Sequence, residues 1–291
     1  MKLFAFSDLH GDVEALKRML KSVECESFDY ILIAGDLTGI DVEEPEVTVK
    51  QAREIFDILE GFDLSYYFVW GFPFRESGLY FTYHVFRRFN GWKTEEKDDL
   101  VSIVGEVRSG DRGFTRFRCN LPREKFESAV EILEVVSTLR FGKVLHDFDR
   151  VRLGDYFLTS YPELVDEKAI LLIHHYQKPT KALLYLEGHV HYGQLCRNYL
   201  NLGFASRDDG LLGCYWLIDL SEGGPSIKWV NFGGKMREMT CPIHRDEGTF
   251  YIPSYWKKCP VCYDSRNAIF SKEVSRRPAA QVNQDPFDSF I

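Results

Sequence analysis

Three short segments constrain this chain most: Asp8-Leu9-His10, Gly35-Asp36 and Gly188-His189-Val190-His191. Each follows an apolar run with strand character, at residues 2–6, 30–34 and 185–187. Carboxylates and imidazoles delivered from strand ends are the donors that hold two divalent cations side by side. A fourth strand-like run, residues 66–70, ends at Gly71 but continues as Phe72-Pro73-Phe74, with no Asn or His. The pattern is a metal signature with one gap.

The intervening sequence supplies the rest of an α/β fold. Val13, Leu16, Met19, Leu20 and Val23 recur at helical spacing, as do Ala52, Ile55, Phe56 and Leu59. Strand, helix, strand, helix, strand in that order predicts parallel strands with ligands at their carboxyl ends. Residues 75–150 read as a variable insert, with a helix over 123–139. Strands are predicted again at 151–159 and 169–173, the second ending at His174-His175, and the sheet signal continues at 201–203 and 214–220. Three regions follow: an α/β domain over 1–233, a cysteine-bearing module over 234–268 and a flexible tail over 269–291. The formal net charge of -8 excludes a bulk nucleic-acid coat but leaves room for a local basic groove. No run of about 18 apolar residues suggests a membrane span, and the first residues lack a signal-peptide pattern, so a cytoplasmic setting is expected.

Asp36 suits a bridging role between two cations, because a bare Asp after a strand and a glycine has nothing apolar to do. Asp8 and His10 lie two apart on one turn and can face one ion. Gly188 lets the backbone turn sharply so that His189 and His191 face neighbouring ions. Any single histidine reads equally well as a satisfied core residue; all the pieces in order, each at a strand terminus, do not reduce to packing. In this arrangement the chain resembles the calcineurin-like metallophosphoesterase superfamily, whose pattern is D-x-H, G-D, G-N-H-[DE], a lone H and G-H-x-H on a two-sheet sandwich flanked by helices. Four of the five blocks match, over residues 1–220. The resemblance implies one metal position from Asp8, His10, Asp36 and His191, and a second from Asp36, His174 and His189 plus the missing Asn, with His175 as the alternate to His174. It also implies catalytic roles for Asp36, His174 and His189, a divalent ion such as Mn²⁺ (or Zn²⁺, Fe²⁺ or Ni²⁺), and in-line hydrolysis by metal-activated water. Phe72 and Pro73 cannot replace the Asn and His. Glu76 or Asn90 could fill in, the second ion could be weak, or the chain could have kept the fold without catalysis.

Near the C-terminus, Cys241-Pro242-Ile243-His244 and Cys259-Pro260-Val261-Cys262 form two knuckles that resemble a zinc ribbon with a Cys3His set and a structural Zn²⁺. Tyr251, Tyr255, Trp256, Lys257 and Lys258 between them suit stacking and phosphate contact, or simply cover a small core. Cys25, Cys119, Cys196 and Cys214 read as buried thiols. Arg108, Arg112, Arg116 and Arg118 interleave with Phe114 and Phe117, and Arg87, Arg88, Phe89, Trp92 and Lys93 cluster similarly. These suit single-stranded nucleic acid, or a solvated strand edge beside core aromatics. The final residues resemble a sliding-clamp-binding peptide through Gln284, Phe287, Phe290 and Ile291. The expected function is a metal-dependent phosphodiesterase or nuclease acting on nucleic acid. The alternative is a catalytically reduced scaffold of the replication or repair machinery.

Overall fold

The computed structural model describes residues 1–24, 26–39, 44–72, 75–108, 114–146, 149–221 and 224–271. Two sheets face each other. The first runs in the order β15 (Ser226–Val230), β14 (Tyr215–Asp219), β1 (Lys2–Phe6), β2 (Tyr30–Ile33), β3 (Tyr66–Phe68) and β7 (Gly142–Val144). From β1 to β7 the strands are parallel; β14 and β15 close one edge antiparallel. The second sheet runs β16 (Met236–Thr240), β17 (Thr249–Pro253), β12 (Gly193–Cys196), β13 (Tyr199–Leu202), β11 (Leu184–Glu187), β10 (Ala169–Ile173), β9 (Tyr156–Thr159) and β8 (Arg150–Leu153). The predicted single strand at 151–159 is therefore a hairpin, turned at Gly154, which sits at φ 60°.

Alternation along β1 explains the layering. Leu3 and Ala5 point between the sheets, where they join Leu32, Ala34, Leu172 and Leu186. Phe4 and Phe6 point the other way, onto Leu16 and Met19 of α1 (Val13–Ser22) and Phe56 of α2 (Pro45–Glu60). A strand buried on both faces reads as a continuous apolar run, which is why β1, β2 and β10 were legible in sequence. Each fully buried side chain of this kind stabilises by roughly 1.5–3 kcal/mol. Asp12 caps α1, accepting the Ala15 N–H at 2.9 Å, and Pro45 opens α2 at a position where its missing N–H costs nothing. The helices lie along the outer face of the first sheet. The outer face of the second, at Leu171, Tyr185 and Tyr199, is covered by Ala182, Ile269 and Phe270.

The insert forms α3 (Ser77–Phe86), a three-stranded meander of β4 (Lys93–Lys97), β5 (Leu100–Arg108) and β6 (Phe114–Pro122), and α4 (Arg123–Ser137). Phe81, Ile103 and Leu121 form its core, with Trp92 and Phe117 packed against them. Arg116 pairs with Glu106 and Arg118 with Glu95 across the meander, and Arg123 at the start of α4 pairs with Glu96. Of the two readings of this segment, the solvated strand edge beside core aromatics is what these contacts describe. Arg112 lies outside the described residues, and of Arg108 and Phe114 only the backbone is described.

The cysteine-bearing hairpin, β16 and β17, does not stand apart from the main fold: β17 pairs with β12, so the second sheet runs across residue 234. Its chain continues to an anchored end. The buried Glu247 carboxylate accepts the N–H groups of Ile269 (2.9 Å), Phe270 (2.7 Å) and Ser271. Residues 269–271, expected in the flexible tail, are thus tied down. The clamp-like peptide, Cys25 and the Pro73-Phe74 pair lie outside the described residues. Cys196 and Cys214 are buried as expected, whereas Cys119 is half-buried on β6. No described helix is long and apolar enough to cross a membrane.

Candidate metal centre

Every predicted ligand lies just past the carboxyl end of a parallel strand: Asp8 and His10 after β1, Asp36 after β2, His174 after β10, His189 and His191 after β11. These turns are knitted together. The N–H groups of Leu9 and His10 both donate to the Asp36 carbonyl, at 2.8 and 2.9 Å, and the Gly188 N–H donates to the His174 carbonyl at 3.1 Å. Five of the six candidate residues, Asp8, His10, Asp36, His189 and His191, have φ between 51° and 75°. Non-glycine residues rarely occupy that left-handed region, and clusters of them mark sites where surrounding structure holds a strained backbone.

The donors form two overlapping groups, one of Asp8, His10 and His191 and the other of Asp8, Asp36 and His174. Asp36 Oδ2 lies 3.7 Å from His10 Nε2 and 3.5 Å from His174 Nε2, so one carboxylate oxygen stands between the two imidazoles. Asp8 Oδ1 lies 3.7 Å from His10 Nε2 and 3.2 Å from His191 Nε2. The other Asp8 oxygen is fixed by the Ser7 hydroxyl and by the His189 N–H at 3.0 Å. His174 Nδ1 lies 2.6 Å from the Ala34 carbonyl, which sets the tautomer and leaves Nε2 as the ligand atom.

Divalent cations fit this set. Asp8 Oδ1, Asp36 Oδ1, His10 Nε2 and His174 Nε2 are all buried without a hydrogen-bond partner. Leaving one buried polar atom unsatisfied costs about 1–3 kcal/mol, so several converging on one space point to a missing common partner. Burial alone would lower His10, yet the Asp36 and Asp8 carboxylates outweigh it and lift His10 to about 9. Burial would likewise raise Asp8, but the neighbouring imidazoles of His10 and His191 hold it well below the usual carboxylate range. The site therefore carries the charge balance of carboxylates waiting for a cation and borrowing protons meanwhile.

His189 sits differently from the other five. Its ring packs on His174 and His175, with centroids 5.2 and 4.4 Å apart, and burial together with these neighbours pushes it down to about 3. It falls in neither donor group. His175 faces Glu187 at 3.6 Å, away from the donor groups.

The gap after Gly71 is real in space. Phe72 stacks on Tyr80, with centroids 4.7 Å apart and planes at 23°, and meets Phe81 edge-on at 5.4 Å. Glu76 does not fill the gap: its two oxygens accept the N–H groups of Asp36 (3.0 Å), Gly71 (2.7 Å) and Thr38 (2.7 Å) and the Thr38 hydroxyl (2.9 Å). It braces the Asp36 loop from behind, and burial and the Asp36 charge push it up to about 7. Asn90 is exposed in the turn after α3. Gly71 itself is what the position requires, since a Cβ there would lie 1.7 Å from Asp36 Oδ1.

Several neighbours carry no motif and were missed in the sequence. Asp208 lies 3.9 Å from His10 Nδ1 and holds Arg75 at the mouth. Arg207, beside it, donates to the Tyr255 hydroxyl at 3.2 Å, which brings the cysteine hairpin to the rim. The buried Glu187 accepts the N–H groups of Tyr176 and Gln177, ordering the turn that presents His174. Their only sequence signal was proximity to a motif, or a lone acid ending a strand.

At the hairpin, Cys241, His244, Cys259 and Cys262 converge. His244 Nδ1 lies 3.4–3.5 Å from all three sulfurs, and the Cys241 and Cys262 sulfurs are 3.7 Å apart. A tetrahedral zinc with metal–sulfur bonds of about 2.3 Å separates its sulfurs by about 3.8 Å, so the spacing fits.

Residues 1–71 match the model of the calcineurin-like phosphoesterase family. That segment holds Asp8, His10, Asp36 and Gly71; the fold brings His174 and His191 to it from beyond the match. The match makes this segment similar to that family, and the two-sheet α/β architecture agrees with it. Among solved structures, TT1561 of Thermus thermophilus is similar at 16% identity and TM-score 0.46, over 79% of this chain and 98% of that one. Yfce, a phosphoesterase from E. coli, is similar at 15% identity and TM-score 0.36 over 80% and 100%. An archaeal phosphodiesterase is similar at 12% identity and TM-score 0.39 over 79% and 100%. Comparison with curated protein sequences finds no match.

Proposed function

We propose that this protein is a divalent-metal phosphoesterase that cleaves phosphodiester bonds in nucleic acid. The observation that carries the reading is the set of buried, unpartnered donor atoms on Asp8, His10, Asp36 and His174 around one space. Asp8, His10 and His191 would hold one cation, and Asp36 and His174 a second. Divalent cations held there would lower the pKa of an attacking water and would neutralise charge on the phosphate. Ser7, Ala34 and Glu76 keep the ligands oriented, as buried hydrogen-bond partners do in metal sites. Arg75 can exchange Asp208 for a phosphate oxygen at the mouth, and neutral His189 stands beside the reacting centre.

Nucleic acid is favoured by the hairpin. Tyr255, at 61% exposure, lies beside Lys257 and Lys258, and its hydroxyl meets Arg207 at the rim. This is a stacking and phosphate-binding surface next to the candidate centre. The hairpin's own ion is proposed to be a structural Zn²⁺. Residues 284–291 are proposed to bind a sliding clamp, and their deletion should abolish that binding without altering hydrolysis.

The test is hydrolysis of single- and double-stranded DNA and RNA with Mn²⁺, with Asp36→Asn as the control. Equal activity in both proteins rejects the reading. One observation favours a second reading, a non-catalytic scaffold: Phe72 turns away into the insert, leaving the second position a ligand short. One bound zinc per chain, no second metal and no hydrolysis would support it.

A further inference from the structure

The turn that carries His189 and His191 is gripped from both sides, because its side chains alternate. His191 Nε2 lies 3.2 Å from Asp8 Oδ1 and the His189 ring packs on His174, on the side of the metal centre. Val190 and Tyr192 pack the other way, into the core of the cysteine hairpin, together with Phe250 and the thiols of Cys241 and Cys259. Tyr192 is 3% exposed, and its ring centroid lies 6.1 Å from that of Phe250 and 6.4 Å from that of Trp256. A second strut runs beside this one. Just past β17, the Tyr255 hydroxyl accepts a hydrogen bond from Arg207 at 3.2 Å. The residues around Arg207 reach the other two ligands of the same donor group. The N–H groups of Ala205 and Ser206 both donate to the Asp8 carbonyl at 3.1 Å, and Asp208 faces His10 Nδ1 at 3.9 Å. The hairpin thus leans on all three members of the group Asp8, His10 and His191.

Backbone strain gives this support something to do. His189 and His191 sit at φ 75° and 52°, and side-chain-bearing residues keep such dihedrals only where the surrounding structure imposes them. Part of that structure is the wall made by the hairpin. A segment of fewer than about 40 residues builds too small a core to hold itself, and a bound metal is one remedy. Ligands that assemble only in the folded form turn binding free energy into folding free energy. An ion among Cys241, His244, Cys259 and Cys262 therefore stiffens the surface against which Val190 and Tyr192 rest.

We propose that the hairpin is a positioning device for the metal centre: zinc bound in it holds the His189–His191 turn in the conformation that receives a cation, so the two sites bind their ions cooperatively. That both sites take metal rests on the function proposed above; their coupling is measured without turnover. The experiment compares the zinc-loaded full chain with Cys259→Ser. Calorimetric titration should show Mn²⁺ binding about tenfold more weakly in the variant, the lower end of what losing a ligand's support costs. Coupling between sites is reciprocal, so saturating Mn²⁺ should tighten zinc about tenfold in the wild type. Competition with a zinc-selective chelator reads that shift, which should shrink towards none in His191→Asn. Val190→Ala leaves the Cys3His set whole and covers the case in which Cys259→Ser merely unfolds. It should keep its zinc and still weaken Mn²⁺ about threefold, a smaller share of the same coupling. Amide exchange at residues 189–191 should quicken in Cys259→Ser.

Unchanged Mn²⁺ affinity in both variants overturns the proposal, as does Mn²⁺ that leaves zinc affinity where it was. Exchange that quickens at residues 193–195 alone also overturns it, since that is fraying of the strand bonded to the hairpin and no more. If the wild type takes up no Mn²⁺, the phosphoesterase reading falls and exchange at 189–191 decides the coupling. Cooperative binding in a protein that hydrolyses nothing would likewise refute the phosphoesterase reading and leave the coupling standing. A protein that hydrolyses equally well with and without its hairpin zinc, at limiting Mn²⁺, would do the reverse.

Discussion

Gly71→Ala isolates the gap from everything around it. The added methyl carbon would lie 1.7 Å from Asp36 Oδ1 and 2.8 Å from the Asp36 backbone nitrogen. An ordinary carbon–oxygen approach is about 3.3 Å, so the carboxylate must retreat by about 1.6 Å. The backbones cannot share the displacement easily, because one Glu76 oxygen holds the N–H groups of both Asp36 and Gly71. The side chain of Asp36 has to rotate away, and metal ligands tolerate only about 0.2 Å. Overpacking of this kind costs about 1–3 kcal/mol, a fall of about 3–10 °C in melting temperature. The larger effect is on metal: affinity for Mn²⁺ at the sheet-top centre should fall about a hundredfold, at the upper end of what disturbing a ligand's support costs. The assay is Mn²⁺ titration by calorimetry, with zinc counted separately by elemental analysis so that the hairpin serves as an internal control. In an Asp36→Asn background the same substitution should change Mn²⁺ affinity little further. Unchanged Mn²⁺ affinity in Gly71→Ala would refute the argument that this glycine exists to admit the Asp36 carboxylate.

Other consequences can be checked with single substitutions. Phe72→Asn should lower stability by about 2 kcal/mol through lost ring contacts and should not create a stronger second Mn²⁺ site, as calorimetric titration will show, because position 72 faces Tyr80 and Phe81. Cys259→Ser should remove one zinc per chain, and hydrogen exchange should then quicken at residues 193–195 of β12, the strand to which the hairpin is bonded. Glu60→Gln should destabilise the protein by about 2 kcal/mol at pH 7, since the carboxylate accepts the N–H groups of Arg140, Phe141 and Gly142 and such charge-assisted bonds are each worth about that. Burial tends to raise Glu60, but these donors hold it below its ordinary 4.5. Its contribution is thus present above about pH 4.5 and lost as the pH falls through the lower folded value. The stability gap between wild type and Glu60→Gln in denaturant melts should therefore close in acid.

What the sequence disclosed follows from how local each signal is. Strands such as β1 and β10, buried on both faces, announce themselves as apolar runs, and ligands at their ends come with short motifs. The cysteine knuckles are similarly compact. Among the strands missed, β7, β12 and β15 are three to five residues long and carry Gly, Lys or Gln. Arg116 and Arg118 looked like a nucleic-acid stripe because their glutamate partners sit on β5 and β4, 10 and 23 residues earlier. Glu76, floated as a spare ligand, bonds backbone groups up to 40 residues away, and no spacing rule points to that. A cavity beside His174 draws on residues from Val69 to His175 and has no linear trace.

The left-handed backbone at Asp8, His10, Asp36, His189 and His191 also decides how this centre can be silenced cleanly. Asparagine tolerates that conformation, whereas alanine and above all β-branched residues resist it. An alanine scan here would mix two losses, a donor and a turn, and an inactive variant could not be told from a misassembled one. Asparagine replacements at these five positions withdraw the carboxylate charge or the imidazole and leave the dihedral angles accessible, so weakened proteins that keep their shape should come from asparagine rather than from alanine.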